Sequence, residues 1–352
     1  MTSVFKYNHP FRLESGVTLP GYHLAYTTHG KLNETKDNVV WIFHALTANS
    51  DPNEWWDGLV GDGKLFDPVK YFIVCVNMPG SCYGSFGPLD INPETNKPYY
   101  HQFPFFTTRD MIRAYQPLRI SLGIKKIHAG IGGSMGGQQL LEWAIEEPEL
   151  FEHIIPLATN AFHSPWGIAF NASQRFCIEN DKTWKEEKDN AGIEGMKVAR
   201  GLALLSYRHY ETYLLRQSEN GLEKFTDFRS ESYQRYQGEK LGKRFNAFSY
   251  YFLSRSMDSH NVGRNRGDIE SALKKIKAKA IAIGITTDVL FPLSEQQFLA
   301  DKIPDAVFKA IHSSYGHDGF LLEYEKIGGI VKEFLEKKEP EKVHQKHAST
   351  IK

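Results

Sequence analysis

Residues 126–145 read KIHAGIGGSMGGQQLLEWAI, and this stretch decides how the rest of the sequence is interpreted. A short β-rich run at 126–131 leads into a cluster of glycines, and apolar residues at helical spacing follow. Gly132, Ser134 and Gly136 form the pattern G-x-S-x-G at that strand-to-helix turn, which is typical of a nucleophile elbow. Small residues are needed two positions before and after the serine, and the helix that begins there favours negative charge. The stretch predicts that Ser134 is a nucleophile.

A second interpretation of the same glycines is a dinucleotide-binding turn formed by Gly130, Gly132 and Gly136. That turn requires an acidic residue about 20 positions further on, at the end of the next strand. The sequence has Pro156, Leu157 and Ala158 there instead, so we reject this interpretation.

Segments typical of strands and helices alternate on both sides of the turn. An early antiparallel strand is predicted at 22–28, and short apolar runs predict buried strands at 38–43, 71–76, 153–158, 280–285 and 306–311. Helices are predicted at 109–122, where Pro117 should cause a kink or a break, at 292–303 and at 321–337. This alternation predicts an α/β fold with a mostly parallel central sheet and helices on both faces.

The alternation stops between about 160 and 275, where helical periodicity dominates, most clearly at 196–215 and 244–257. We interpret this region as a helical lid inserted between two parts of one sheet. The predicted parts are a first core segment at 1–159, the lid at 160–275, a second core segment at 276–337 and a polar tail at 338–352. A separate helical domain with no role at the site is the alternative.

A nucleophilic serine needs a base, and the base needs a carboxylate to orient it. In this architecture the acid and then the histidine follow the serine along the chain, at the carboxyl ends of strands. Asp288 follows the strand that ends near Ile285, and His317 follows the next strand. His312 is a rival base, but it ends the strand itself, whereas glycines flank His317. We therefore predict Ser134, Asp288 and His317 as a catalytic triad.

Acyl transfer also needs two donors directed at the oxyanion of the tetrahedral intermediate. One is the amide after the nucleophile, which is that of Met135, and the other comes from the loop after an earlier strand. That loop begins at His44, directly after the strand at 38–43, and Leu46 is the predicted second donor. His44 itself is interpreted as a brace for the loop.

Composition limits the class of partner. The 352 residues carry 42 basic and 42 acidic side chains, so the formal net charge is zero, which argues against a nucleic-acid or membrane-binding face. Three cysteines are too few for a disulfide framework, and neither a secretion signal nor a run of roughly 18 apolar residues is found. We expect a cytoplasmic protein with no membrane or nucleic-acid partner and no metal.

The sequence resembles the homoserine O-acetyltransferases of the α/β-hydrolase superfamily from about residue 11 to residue 335. The matching segments are HALTANSD from His44, WWDGLVGDGKLFD from Trp55, CYGSFGPLDINP from Cys82, FPFFTTRDMIRA from Phe103, GGSMGGQQLLEWA from Gly132, YQGEKLGKRF from Tyr236, TTDVLFP from Thr286 and SSYGHDGFL from Ser313. Several of these segments are specific to that family, well beyond the elbow that the superfamily shares.

The resemblance implies acetyl-CoA as co-substrate, L-homoserine as acceptor, a step in methionine biosynthesis, no permanently bound cofactor, and a homodimer paired through the lid. It implies that Asp318 binds the amine of the acceptor and that Arg208 pairs with its carboxylate. Tyr213 is a further substrate-binding residue implied in the same way. Because a CoA donor carries several negative charges, Lys or Arg side chains are expected near the mouth of the site.

Three residues depart from the family pattern, and none of them belongs to the triad. Ala48, Ser81 and Asn246 stand where the family usually has Gly, Gly and Asp. Ala48 adjoins the predicted oxyanion loop, so succinyl-CoA stays open as donor and serine as acceptor. An esterase or thioesterase with the same triad is a further alternative, and a non-catalytic ligand-binding protein on this fold is the last.

Overall fold

An eight-stranded, mostly parallel sheet forms the centre of the molecule in a computed structural model, which describes residues 2–221 and 223–337. The strands in chain order are β1 (Thr2–Tyr7), β2 (Tyr22–His29), β3 (Val39–Phe43), β4 (Phe72–Val76), β5 (Ile127–Gly133), β6 (Phe151–Leu157), β7 (Lys279–Ile285) and β8 (Val307–Ile311). Their order across the sheet is β1-β2-β4-β3-β5-β6-β7-β8. The predicted α/β fold class is confirmed, but the tail predicted at 338–352 lies outside the described residues.

Helices cover both faces of this sheet, and one group of them lies between β6 and β7. The helices are α1 (Pro52–Trp55), α2 (Thr108–Ser121), α3 (Met135–Glu146), α4 (Pro165–Glu179), α5 (Ile193–Tyr207), α6 (Tyr210–Gln217), α7 (Arg229–Gly242), α8 (Ala247–Asp258), α9 (Ile269–Leu273), α10 (Leu293–Lys302), α11 (Gly319–Leu322) and α12 (Tyr324–Glu336). Short antiparallel ribbons pair Phe11–Arg12 with Thr18–Leu19 and Ile91–Asn92 with Lys97–Pro98, and 3-10 turns lie at Tyr100–Gln102 and Gly316–Asp318. None of the helices among the described residues is long and apolar enough to cross a membrane.

The sheet separates two apolar clusters. One cluster includes Trp41, Tyr115 and Trp143, all buried beneath α2 and α3, and the other includes Trp56 and Phe320 on the opposite face. Because parallel strands buried on both faces need apolar residues at every position, β3 and β4 have uninterrupted apolar sequences.

The register of the parallel strands brings their carboxyl ends to one edge. Phe43 at the end of β3 pairs with Gly132 of β5, and Leu157 of β6 pairs with Gly133. Ile285 of β7 pairs with Ile311 of β8. The loops that follow β3, β5, β7 and β8 therefore leave the sheet on the same side, where open α/β sheets place their sites.

The entrance and exit of the region between β6 and β7 are tied together. Phe162 and Asn261 form an isolated antiparallel bridge, and the His163 amide donates to the His260 carbonyl at 2.9 Å. The Val262 amide donates to the Ala161 carbonyl at 3.0 Å. The helices α4 to α8 thus extend from a closed base.

A buried ion-pair network fixes this exit to the core. Arg109 on α2 donates to Glu142 on α3 at 3.0 Å, and Arg266, beyond the exit, donates to the same carboxylate at 2.7 Å. Glu14 accepts from Arg109 at 2.7 Å and from Arg264 at 2.9 Å. Removing one partner from such a network leaves an uncompensated buried charge, so its members stabilise the fold together.

Several details of the predicted elements differ from the structure. The helix α2 continues through Pro117, so it is not broken there into two pieces. The helix predicted at 196–215 is two helices, separated at Arg208 and His209. The final helix begins earlier than predicted and is interrupted at Glu323. In addition, the edge strand β1 was not predicted.

The turn between β5 and α3 leaves no space for side chains at its glycines. A Cβ atom on Gly136 would lie 2.1 Å from the Phe43 carbonyl oxygen, and one on Gly132 would lie 2.6 Å from the Gly136 carbonyl carbon. A Cβ atom on Gly133 would lie 2.3 Å from the Phe320 ring. These glycines are thus required by close backbone and ring contacts.

Replacing Gly136 by Ala should lower the free energy of unfolding by about 2 kcal/mol or more, because the new methyl group collides with buried backbone. Urea unfolding followed by circular dichroism measures the change. The matched control is Gly201→Ala on α5, where a Cβ atom meets nothing within 4 Å, and a gain of about 0.5–1 kcal/mol is expected there. Equal effects of the two substitutions would contradict this account.

Candidate active site

Ser134 occupies the strained position of the elbow. It lies between β5 and α3 with φ 55° and ψ −126°, a backbone conformation unusual for a residue with a side chain. Its amide donates to the Leu157 carbonyl at 3.0 Å, and the Thr159 hydroxyl donates to its carbonyl at 2.8 Å. These bonds from β6 hold the strained turn, and the side chain stands at the N-terminus of α3.

Asp288 and His317 meet in a short hydrogen bond. The Nδ1 atom of His317 lies 2.6 Å from Oδ2 of Asp288, and both residues are buried. The second carboxylate oxygen of Asp288 accepts from the amides of Leu290 at 2.8 Å and Phe291 at 2.9 Å. Because the carboxylate has only acceptors to offer, Nδ1 carries the proton and Nε2 is left to act as a base.

Aromatic rings fix the plane of the His317 imidazole. Phe291 stacks on it at 5.0 Å between ring centroids, and Phe320 contacts its edge at 5.2 Å. Phe320 is also the ring that fills the space above Gly133. The same side chain therefore packs on both the elbow and the histidine.

The rival base His312 is in a different environment. Its Nδ1 atom lies 2.9 Å from the Thr286 hydroxyl at an exposed position at the end of β8. A base in an acyl-transfer triad needs an orienting carboxylate. The geometry favours His317 over His312.

The start of the loop after β3 contacts the elbow, and the predicted oxyanion donor Leu46 lies two residues further along this loop. Contact between Gly136 and the Phe43 carbonyl holds the start of α3 against the end of β3, and Leu46 and Met135 are both buried. Within the described residues, no hydrogen bond is found for either amide. Two unsatisfied amides at this edge are what an oxyanion site requires.

His44 braces this loop in its neutral form. Its Nδ1 atom lies 2.9 Å from the Ala45 carbonyl, and its Nε2 atom accepts from the Met78 amide at 3.1 Å. Burial lowers the pKa of His44 to about 4. The ring of His44 accepts a hydrogen bond through one nitrogen and can donate one through the other, so it links two backbone segments and stabilises the turn at Leu46.

The predicted substrate-binding residues lie beside His317, but Arg208 and Asp318 bind each other. Nε of Arg208 donates to Oδ2 of Asp318 at 3.1 Å, and the Arg208 guanidinium lies over the Tyr233 ring at 5.4 Å. Burial raises the pKa of the Asp318 carboxyl despite the opposing effect of Arg208. The hydroxyl of Tyr213 is buried nearby with no hydrogen-bond partner among the described residues.

The break between α5 and α6 explains how Arg208 reaches Asp318. Gly316 has φ 66°, and a Cβ atom there would lie 2.8 Å from the His209 amide nitrogen. The His317 loop thus packs against the backbone at 208–209, which is extended at Arg208. The break between α5 and α6 was not predicted, because the contact between Gly316 and His209 joins segments about 100 residues apart in the sequence.

A polar network close to Asp288 was also not predicted from the sequence. Asn160, just after β6, donates to Glu295 on α10 at 3.1 Å and accepts from Gln138 on α3 at 3.0 Å. Burial, together with the nearby charge of Asp288, raises the pKa of Glu295 to about 7. The position of Asn160 at the carboxyl end of a strand was the available signal.

A group of metal-ligand side chains lies away from this site. His128, Glu152 and His153 have ligand atoms within 4.8 Å of one another, and within the described residues they are the one such group of three or more. They lie at the start of β5 and β6, at the opposite end of the sheet from Ser134. This group is therefore separate from the candidate active site.

Comparison with known proteins shows one family clearly. The model for the α/β hydrolase fold matches residues 38–324. A homoserine O-acetyltransferase of Cyclobacterium marinum is 50% identical over 331 residues, which are 94% of each chain. Among solved structures, a homoserine O-acetyltransferase of Bacillus anthracis matches with a TM-score of 0.88 at 25% identity, over 96% of this chain and 98% of that one. Esterase E22 matches with a TM-score of 0.86 at 25% identity, over 96% and 100%.

The raised pKa of Glu295 predicts a pH-dependent stability. The folded protein keeps this proton up to about pH 7, whereas the unfolded chain loses it near 4.5, so its contribution is lost as pH rises through that window. Glu295→Gln removes the titration and should become more stable relative to wild type by on the order of 1–3 kcal/mol between pH 5 and pH 8. Urea unfolding at the two pH values measures this difference.

Glu325→Gln on α12 is the matched control, because that side chain is exposed and should leave the pH dependence of wild type unchanged. A constant difference between Glu295→Gln and wild type across the window would show that Glu295 ionises in the ordinary range.

Proposed function

The chain belongs to the homoserine O-acetyltransferase family of the α/β hydrolases, and we propose that it transfers the acetyl group of acetyl-CoA to the hydroxyl of L-homoserine through an acetyl-Ser134 intermediate. The observation that carries this proposal is the 2.6 Å bond between His317 and Asp288 beside the serine elbow. The step belongs to methionine biosynthesis, as the name of the family implies. A cytoplasmic location is part of the proposal.

The first half-reaction uses the free nitrogen of His317. Nε2 takes the proton of the Ser134 hydroxyl while Ser134 attacks the thioester carbonyl, and Asp288 stabilises the imidazolium that forms. The Leu46 and Met135 amides bind the oxyanion. The tetrahedral intermediate then expels CoA, whose sulfur receives the proton from His317, and acetyl-Ser134 remains.

The second half-reaction repeats this chemistry with the acceptor. His317 takes the proton of the homoserine hydroxyl, whose oxygen attacks acetyl-Ser134 and releases O-acetylhomoserine with Ser134 reprotonated. Homoserine is a zwitterion, so its ammonium and carboxylate groups can exchange partners with the Arg208–Asp318 pair. The free hydroxyl of Tyr213 offers a further donor to the carboxylate. Binding at both charged ends positions the hydroxyl ahead of bulk water.

We assign residues 160–275 as the lid over this site, between core segments at 1–159 and 276–337. Helices α4 to α8 rise from its closed base, and the segment at 207–209 packs on the His317 loop. Exclusion of water protects the acetyl intermediate from hydrolysis.

A hydrolytic reaction is the second candidate, because esterase E22 matches this chain about as well as the Bacillus anthracis acetyltransferase does. The two functions share the triad and differ in the acceptor. Release of CoA from acetyl-CoA should depend on added homoserine if the chain is a transferase. Fast release without an acceptor would favour the hydrolase. The same assay with succinyl-CoA and with serine tests the remaining donor and acceptor.

Replacing Ser134 by Ala should lower the transfer rate by about 10⁴-fold or more and abolish the burst of CoA release, since no acyl-enzyme can form. Stopped-flow detection of the free thiol and mass spectrometry of the acylated protein measure both effects. Ser173→Ala, an exposed position on α4, is the control and should keep full activity. A normal burst in the Ser134 variant would overturn the assignment.

The lid also supports the proposed homodimer. Leu214 and Leu215 on α6, Leu205 on α5 and Phe225 beyond α6 are exposed, Leu215 to 73% and Phe225 to 92%. Apolar side chains concentrated on one region mark an interaction surface.

Leu215→Glu should convert the dimer to a monomer at micromolar concentration, because it places a charge within the buried interface. Sedimentation velocity measures the mass in solution. Val69→Glu is the control, since Val69 is equally exposed but lies outside the lid, in the turn before β4. A monomeric wild type, or dissociation by both substitutions, would contradict pairing through the lid.

A further inference from the structure

A cleft of about 220 Å³ opens beside the triad, between the lid and the His317 loop. Four of its nine lining residues are basic, and the lining comprises Arg200, Arg208, Gln237, Lys240, Leu241, Arg244, Asp318, Leu321 and Leu322. Four cations and one carboxylate thus face a small volume in a chain whose formal net charge is zero.

Three of these cations form no ion pair within the described residues, although the charge of Arg200 also acts on Asp318 from a longer distance. Asp318 pairs with Arg208 at 3.1 Å, which leaves Arg200, Lys240 and Arg244. Within the described residues, no carboxylate lies in ion-pair distance of these three side chains. Unpaired cations that converge on a cleft produce a positive potential that attracts an anionic ligand.

Two of the three cations are held in place. The Arg200 guanidinium lies 5.5 Å from the centre of the Tyr207 ring, which is the ring that also contacts His317. Arg244 donates to the Thr47 carbonyl at 2.5 Å and also contacts the Tyr83 hydroxyl. Positioned donors bind an anion at a lower entropic cost than free side chains do.

The cleft adjoins both halves of the catalytic site. Asp318 directly follows His317, and Thr47 directly follows Leu46 in the oxyanion loop. Lys240 and Arg244 are exposed, so the cation cluster extends outward from the site toward solvent. If a ligand extends from solvent to Ser134 along this cleft, its anionic groups lie next to these cations.

We propose that Arg200, Lys240 and Arg244 bind the phosphate groups of the acyl-CoA donor. This inference rests on the proposed function. It names residues that bind the acyl donor, which the proposed function does not identify. Homoserine brings a single carboxylate, which Arg208 can pair with, so the acceptor does not account for three further cations. Phosphate groups carry several charges and accept hydrogen bonds from Arg and Lys with good geometry. The volume of the cleft suits a phosphate portion and not the whole of CoA.

The experiment compares two donors that differ only in their phosphates. Acetyl-CoA and acetyl-pantetheine present the same thioester, but the second lacks the phosphates and the nucleotide. Lys240→Ala and Arg200→Gln should each lower kcat/KM for acetyl-CoA by about tenfold, and the double variant by about 50-fold or more. With acetyl-pantetheine the same variants should differ from wild type by less than about twofold. The KM for homoserine should stay constant.

Lys243→Ala is the matched control, because Lys243 follows α7 near Lys240 but does not line the cleft. Its kinetics with both donors should equal those of wild type. Equal losses with the two donors in the Lys240 and Arg200 variants would overturn the proposal, and so would a change confined to the KM for homoserine. A loss seen only with succinyl-CoA would assign the cations to an acyl carboxylate and would also overturn it.

Binding of CoA by titration calorimetry separates this inference from the proposed function. Weaker binding in the Lys240 and Arg200 variants, with the Lys243 variant unchanged, supports the phosphate site even if turnover is not detected. If the wild-type protein transfers acetyl groups but binds CoA with the same affinity as the variants, the proposed function stands and this inference is overturned.

Discussion

The close approach of the Phe43 carbonyl to Gly136 is the constraint on which the site depends. Only a residue without a Cβ atom permits this contact, because the atom would lie 2.1 Å from the oxygen. The contact presses the start of α3 against the end of β3, so the loop that contains Leu46 and the amide of Met135 share one edge of the sheet. The strain at Ser134 is a consequence of the same turn, and the bonds from β6 keep it in place.

The buried histidines differ in their structural roles because their rings have different hydrogen-bond partners. His44 and His260 are kept neutral by burial, which lowers their pKa values to about 4 and about 3, and each links backbone or hydroxyl groups. His317 is buried as deeply, but it faces the carboxylate of Asp288. This pairing with a carboxylate distinguishes His317 from the other two histidines, which contact backbone, hydroxyl or amide groups.

The sequence predicted well whatever depends on local pattern. The elbow at Ser134, and the positions of Asp288 and His317 after strands, follow from short motifs and from the rule that strand ends share an edge. Contacts between segments that are distant along the chain could not be predicted from the sequence. The break at Arg208 depends on Gly316, and the pairing of Arg208 with Asp318 depends on that break. Basic residues were expected near the site, but their identities depend on how α5 and α7 pack together.

The closed base of the helical region has a consequence for the architecture as a whole. Ala161 and Val262 are hydrogen-bonded neighbours although some 100 residues separate them, so the chain leaves the core and returns to it at nearly the same point. Because the two ends of this segment already lie together, its length does not affect the positions of the strands that flank it. The entropic cost of a longer loop also rises only slowly with its length. The region between β6 and β7 is therefore a module that can change in size or content while the sheet and its serine elbow keep their geometry.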